Sequence, residues 1–302
     1  KNDYVDSFVI ADCLRFGRIN KEVYLDDYRY AALKNLTRAR FFAVQNLTRE
    51  KQRFLNQLFK KYSTMAQEKV FSDTFSTTAL AVYESFESAE TLANMDLHQL
   101  TEFIIEKGKN RFPDPDSVAK AIQKAARSSY RLPKTVNDSV NQVLSISISS
   151  MRAMESQIKA FDKAIAEQMA LIPNTLTSVN GIGPVYSAGI IAEIGDISRF
   201  PNQASLAKYA SLVWSQHQSG DFEAQNTRLI HSGNRYLKYY LCEAALSLVR
   251  CDAEYRSFYH RKYKEVNKYQ HKRALALTAR KFVRLVFRLL KDNCLYRAPE
   301  SK

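Results

Sequence analysis

Glycine and proline are nearly missing from the first third of this chain. Between Arg18 and Phe112 there is one glycine, Gly108, and no proline. These two residue types are the strongest interrupters of regular backbone, so their scarcity leaves room for long helices. The intervening text has helical periodicity. Leu33, Leu36, Val44, Leu47, Phe54, Leu55, Leu58, Phe59 and Tyr62 recur at threes and fours, and Lys34, Arg38, Arg40, Arg49, Lys51 and Arg53 take the other faces. One long helix or two is expected. The run Phe112-Pro-Asp-Pro-Asp-Ser117 reads as a loop that caps the next helix, and Pro133 as a second break.

From 140 to 171 the apolar positions Leu144, Met151, Met154, Ile158, Phe161 and Ile165 form a short heptad seam. Such a seam pairs with another helix, in a coiled coil or inside one domain. Pro173 then punctuates, and six of the eight glycines fall between 181 and 233, so a separate compact domain is expected from about 172. After Gly233 the text is helical to about Asp292, with a break near Asp252. No alternating strand pattern of any length appears, and the fold is expected to be mainly α.

The 302 residues are 45% hydrophobic, enough to bury a core, and include no run of 18 apolar residues. A soluble cytoplasmic protein with no membrane partner is expected. Cys13, Cys242, Cys251 and Cys294 lack metal-ligand spacing and read as reduced thiols. Net charge is +14, and residues 226–302 alone carry 18 Lys/Arg against 6 Asp/Glu. An excess concentrated in the last quarter points to a polyanion, because neutralising phosphates releases counterions. Its interleaving with Tyr and Phe favours nucleic acid over a lipid surface.

Four constellations could carry chemistry. Asp3 and Asp6, three apart, share a helix face and could ligate a divalent cation; they equally suit a helix's solvated first turn. Gly181-Ile-Gly183-Pro, running into an apolar helix, is similar to the turn of a helix-hairpin-helix element. There glycine lets backbone amides approach a phosphate; a tight turn without ligand is the plainer reading. Ser219-Gly220 lies in a polar stretch between helical segments, followed by Arg228, Gly233-Asn234, Arg235 and Lys238 as candidate phosphate contacts. Finally, 271–291 is a basic amphipathic helix with Arg273, Arg280, Arg284, Arg288 and Lys291 on one stripe. It is either a solvated face or a surface that tracks phosphates.

In order and spacing these pieces resemble one family over essentially the whole chain. The matching text is Lys-x-Asp3-x-x-Asp6, Gly181-Ile-Gly-Pro, Ala192-Glu-Ile-Gly-Asp-Ile-x-Arg-Phe200, Leu206-Ala-Lys-Tyr-Ala210, His217-Gln-Ser-Gly220, Gly233-Asn-Arg-Tyr-Leu237 and Lys272-Arg-Ala-Leu-Ala-Leu-Thr-Ala-Arg-Lys281. It resembles the DEDD-type insertion-sequence transposases, the "IS one-ten" family, in which a structured bridge RNA guides recombination. The resemblance implies that residues 1–20 are the C-terminal end of an RNase H-like (RuvC-like) α/β domain. A helical region would follow over 21–135, a coiled-coil-like helix over 136–171 and a C-terminal transposase domain over 172–302. It also implies that Asp3 and Asp6 are the last two acids of a Mg²⁺-binding DEDD set and that Ser219 is a nucleophile forming a phosphoserine link to DNA.

The implied partners are DNA, a guide RNA and further copies of the chain, as a dimer or tetramer, at a prokaryotic nucleoid. The first two acids would lie upstream of Lys1, so the chain is expected to be a fragment that binds nucleic acid without cleaving it alone. Two other readings stay open. One is a non-catalytic architectural nucleic-acid-binding protein, for which Ser219 is dispensable. The other is a Holliday-junction nuclease that depends on the acids alone.

Overall fold

The computed structural model describes residues 2–18, 27–65, 67–68, 70–215, 218–219, 222–223 and 228–298. In chain order the helices are α1 (Asp3–Arg15), α2 (Tyr28–Lys61), α3 (Thr77–Ser85), α4 (Ala89–Asn94), α5 (Leu97–Gly108), α6 (Pro115–Arg127), α7 (Lys134–Met169), α8 (Pro184–Ile194), α9 (Gln203–Tyr209), α10 (Arg235–Cys251), α11 (Ala253–Lys264) and α12 (Gln270–Lys291). Strands β1 (Gln218–Ser219) and β2 (Phe222–Glu223) are the only paired strands among the described residues. The protein is mainly α, as its periodicity requires. No helix among the described residues is long and apolar enough to cross a membrane.

Helix limits follow local chemistry. Asp114 caps α6 by accepting from the Ser117 amide at 3.0 Å, with Pro115 in the first turn. Asp252 ends α10 and caps α11 through the Tyr255 amide at 3.0 Å, so one residue makes the expected break. The glycine-poor stretch after Arg18 holds one 34-residue helix, α2, followed by three shorter ones.

The chain divides into two compact units. The first comprises residues 1–38 and 165–302, the second residues 39–164. The second unit packs Phe54, Leu58 and Tyr62 of α2 against Val82, Leu100, Ile104, Ile122, Leu144 and Ile148. Arg40 pairs with Asp162, Lys51 with Glu155 at 3.6 Å, and Ser147 with Glu50, so α2 and α7 are linked in antiparallel order. The seam of α7 is buried at Leu144, Met151 and Ile165 and half-buried at Met154, Ile158 and Phe161.

In the first unit α8 is almost wholly interior: every residue from Ser187 to Ile194 is buried. It crosses α10 at Gly189, where a β-carbon would lie 2.3 Å from the Tyr240 ring. Glycine is therefore required by the closeness of two helices, despite its helix propensity. The Tyr240 hydroxyl continues through the core and donates to the Thr37 carbonyl at 2.7 Å. Phe282, Val283, Val286 and Leu289 of α12 close the same core, each contributing on the order of 1.5–3 kcal/mol by burial.

Candidate functional site

A lone glutamate in the apolar run Ile190-Ile-Ala-Glu193-Ile organises the first unit. The Glu193 side chain is fully buried, and Arg38 answers it with two parallel hydrogen bonds, Nε at 2.7 Å and Nη2 at 2.8 Å. That fork geometry is what makes an arginine–carboxylate pair strong, and it holds the guanidinium's charge more firmly still. Asn234 adds a third donor, its amide nitrogen 2.7 Å from the carboxylate. The other side of the same amide, its oxygen, caps α10 through the Tyr236 and Leu237 amides at 2.9 and 3.0 Å. The Arg38 guanidinium also stacks 4.4 Å from the Tyr236 ring.

This network fixes the root of the segment that carries Ser219. The Asn234 amide donates to the Tyr209 carbonyl at 2.6 Å, and the Ser211 hydroxyl to the Ser232 carbonyl at 2.8 Å. Gly233 makes the approach possible: its φ is +131° and a β-carbon would sit 2.5 Å from the Ser211 hydroxyl and 2.6 Å from the Tyr209 carbonyl. From there a short antiparallel ladder rises, with Ile230 donating to Val213 at 3.0 Å, Trp214 bridging Leu229, and Ser215 donating to Arg228 at 2.8 Å. Further along, Ser219 pairs with Phe222. The Ser219 side chain lies outside the described residues, as do Gly220 and Asp221.

Asp3 and Asp6 lie in the exposed first turn of α1, which Asn2 caps through the Val5 amide at 2.8 Å. No residue of α1 is buried. Among the described residues no group of three or more His, Cys, Asp or Glu side chains is placed to hold a metal. Two carboxylates on one helix face are oxygen ligands of the kind a hard cation such as Mg²⁺ takes, but a pair falls short of the roughly six that it needs.

The two glycines of the Gly181-Ile-Gly183 turn have different work. Gly181 has φ +89°, accepts from the Ser247 hydroxyl at 2.6 Å, and leaves no room for a β-carbon beside Cys251. Packing on α10 accounts for it. Gly183 is exposed and begins α8 without a side-chain cap, and a β-carbon there would meet nothing. The element before the turn is a single 3₁₀ turn, Leu176–Ser178.

The basic stripe of α12 divides similarly. Arg273 is tied to Glu265 at 3.0 Å and half-buried Arg280 reaches the Gln203 carbonyl at 3.4 Å. Arg284 and Arg288 are exposed and line a cleft of about 720 Å³ with Tyr296 and Arg297. Arg228 and Arg235 are exposed and Lys238 half-buried; Arg235 lies over the Tyr236 ring at 4.8 Å. Sequence reasoning missed the Arg38–Glu193–Asn234 network, although a single acid inside an apolar run was its visible signal.

Residues 174–260 match the family described as Transposase IS116/IS110/IS902, and residues 1–62 match the DEDD transposase family of the IS110 type. Over 310 aligned residues the chain is 26% identical to an uncharacterized 44.8 kDa protein of insertion element IS116 from Streptomyces clavuligerus, covering 98% of the chain and 72% of the relative. It is 32% identical to an uncharacterized 43.6 kDa protein of insertion element IS110 from Streptomyces coelicolor over 48% of the chain and 34% of the relative. To a probable family 20 transposase of Pseudomonas aeruginosa it is 30% identical, over 33% of the chain and 28% of the relative. The first family match covers α8, the Ser219 ladder and the Glu193–Asn234 pair, and the second covers Asp3, Asp6 and Arg38: the chain belongs to the IS110/IS116 family of insertion-sequence transposases.

Proposed function

We propose that Ser219 is the nucleophile of a transposase that cuts and rejoins DNA, acting only together with all four acids of a DEDD set. The Ser219 oxygen attacks a backbone phosphorus, one phosphate ester bond breaks, and the released sugar hydroxyl takes up a proton. A phosphoserine link then conserves the bond energy for rejoining. The observation that carries this reading is the rooting of the Ser219 ladder on a buried ion pair. Asn234 and Glu193 fix where the ladder starts, and a nucleophile needs such a rigid base. Asp3 and Asp6 would hold Mg²⁺ together with the other acids of the DEDD set, and the cation would neutralise charge on the scissile phosphate.

In this reading residues 1–20 belong to the RNase H-like catalytic domain, 21–135 and 136–171 to the helical and coiled-coil-like regions, and 172–302 to the transposase domain. Gly181 and Gly183 act through the α8 turn, and Arg228, Arg235, Lys238, Arg273, Arg280, Arg284 and Arg288 through phosphates or their positioning. A structured guide RNA would be gripped through its backbone while base pairing reads sequence, and a synapse of two DNAs calls for a dimer or tetramer.

The test incubates a protein carrying these residues and all four DEDD acids with DNA of the insertion-sequence ends, guide RNA and Mg²⁺, then denatures the mixture. A protein–DNA adduct that vanishes in Ser219→Ala is the expected result. Cleavage without any adduct would replace the serine with water, and binding with neither would leave an architectural role.

A further inference from the structure

We propose that the groove beside the Ser219 ladder holds one unstacked nucleotide of the DNA strand, its base against Trp214 and Tyr269 and its phosphate among Arg228, Lys268 and Lys272. The proposal rests on the nucleic-acid reading above and names a subsite for it. The groove, about 1360 Å³, runs between the ladder root and the α11–α12 corner. It exceeds the ~300–1,000 Å³ of a small-molecule pocket and so suits a stretch of polymer.

Three observations converge on an unpaired base. Trp214 is the chain's single tryptophan, half-buried and held by its bridge to Leu229. Tyr269 is 80% exposed and sits at φ +54°, a left-handed conformation that a residue with a bulky side chain rarely adopts. It begins α12 without a side-chain cap, so its ring is presented to solvent rather than used by the helix. A large exposed aromatic at a left-handed backbone position recurs at binding sites.

The third observation is charge. Arg228, Lys268 and Lys272 are exposed along the groove. The one carboxylate in its lining, Glu265, is already engaged by Lys262 at 2.6 Å and Arg273 at 3.0 Å. Aromatic rings among cations recognise single strands, whose bases present their faces, whereas a duplex hides them. The groove's place at the root of the Ser219 ladder assigns that strand to DNA.

Because Trp214 is unique, its emission reports on this groove alone. The experiment titrates the chain with (dT)8, (U)8 and a duplex of equal length at low salt. Tryptophan emission and the anisotropy of labelled oligonucleotide are followed together. Quenching by (dT)8, with about ten-fold weaker binding in Tyr269→Gly and near-normal binding in Tyr269→Phe, is expected. Glycine accepts the left-handed backbone, so that variant removes the ring without disturbing the turn. Anisotropy that reports binding while emission and Tyr269→Gly are silent would overturn the subsite and leave nucleic-acid binding intact. Stronger quenching by (U)8 would overturn the assignment to DNA. Absence of binding by both readouts would overturn both readings.

Discussion

Asn234 reaches the buried Glu193 carboxylate with its amide nitrogen at 2.7 Å and caps α10 with its amide oxygen. One side chain thus joins a helix start to the ion pair that Arg38 completes. Removing it by Asn234→Ala costs the cap, about 1 kcal/mol, and a charged hydrogen bond of similar or larger size. Breaking a buried pair typically costs ~3–5 kcal/mol. Arg38→Met should fall near ~2 kcal/mol, because the Arg38 side chain is 38% exposed and water can partly replace it. Urea unfolding measures both, and the double variant should lose less than the sum because the partners are shared. Losses of only a few tenths would mean that the network does not hold the ladder root.

Gly189, in the middle of α8, and Gly183, at its N-cap, answer to different constraints. In Gly189→Ala the new methyl meets the Tyr240 ring at 2.3 Å, so α8 and α10 must separate at a cost of about 1–3 kcal/mol. Gly183→Ala meets nothing, and melting should change by less than about 1 kcal/mol. If the Gly183 turn approaches phosphate, affinity for DNA drops in Gly183→Ala while the melting curve stays. Unchanged affinity at low salt would remove Gly183 from the interface.

Much of this fold is readable in local text. Asp114-Pro115 and Asp252 mark helix ends because capping acts over three or four residues. The Gly-x-Gly pair was visible, but not that Gly181 answers to Cys251 and Ser247, since that packing is set by α10, about 70 residues on. Arg38 and Glu193 are 155 positions apart, and nothing near either names the other. The left-handed backbone of Tyr269 is equally silent, because its sequence carries no turn residue that demands it. What the sequence leaves out is pairing at a distance, and the groove is built from such pairings.

The four thiols should react in an order set by burial. Cys251 is exposed, whereas burial pushes the Cys242 thiol up to about 11. Since the thiolate is the reactive form, an alkylating reagent near pH 8 should modify Cys251 first and leave Cys242 until unfolding. Mass spectrometry of peptides after short exposure gives the order, and early labelling of Cys242 would show that α10 opens locally.

Lys61 places a pH dependence in the second unit. Its side chain is buried, donates to the Tyr83 carbonyl at 2.9 Å, and has its ammonium lowered to about 8 by burial, against partial support from Glu87. An unfolded lysine titrates near ~10.4. Between these values the unfolded chain binds more protons, so stability rises as pH increases through 8; below that the full desolvation cost is in place. From pH 7.5 to 9 the gain should be about 1 kcal/mol. The buried hydroxyls of Tyr62 and Tyr83 are pushed upward and act in the opposite sense, but only once unfolded tyrosine ionises near ~10. Lys61→Met removes the titrating group along with its bond to Tyr83, so the rise flattens and the variant loses stability relative to the parent as pH increases from 7.5 to 9. Urea midpoints of both proteins across this range decide it: parallel slopes would mean that water reaches the Lys61 ammonium in the folded state.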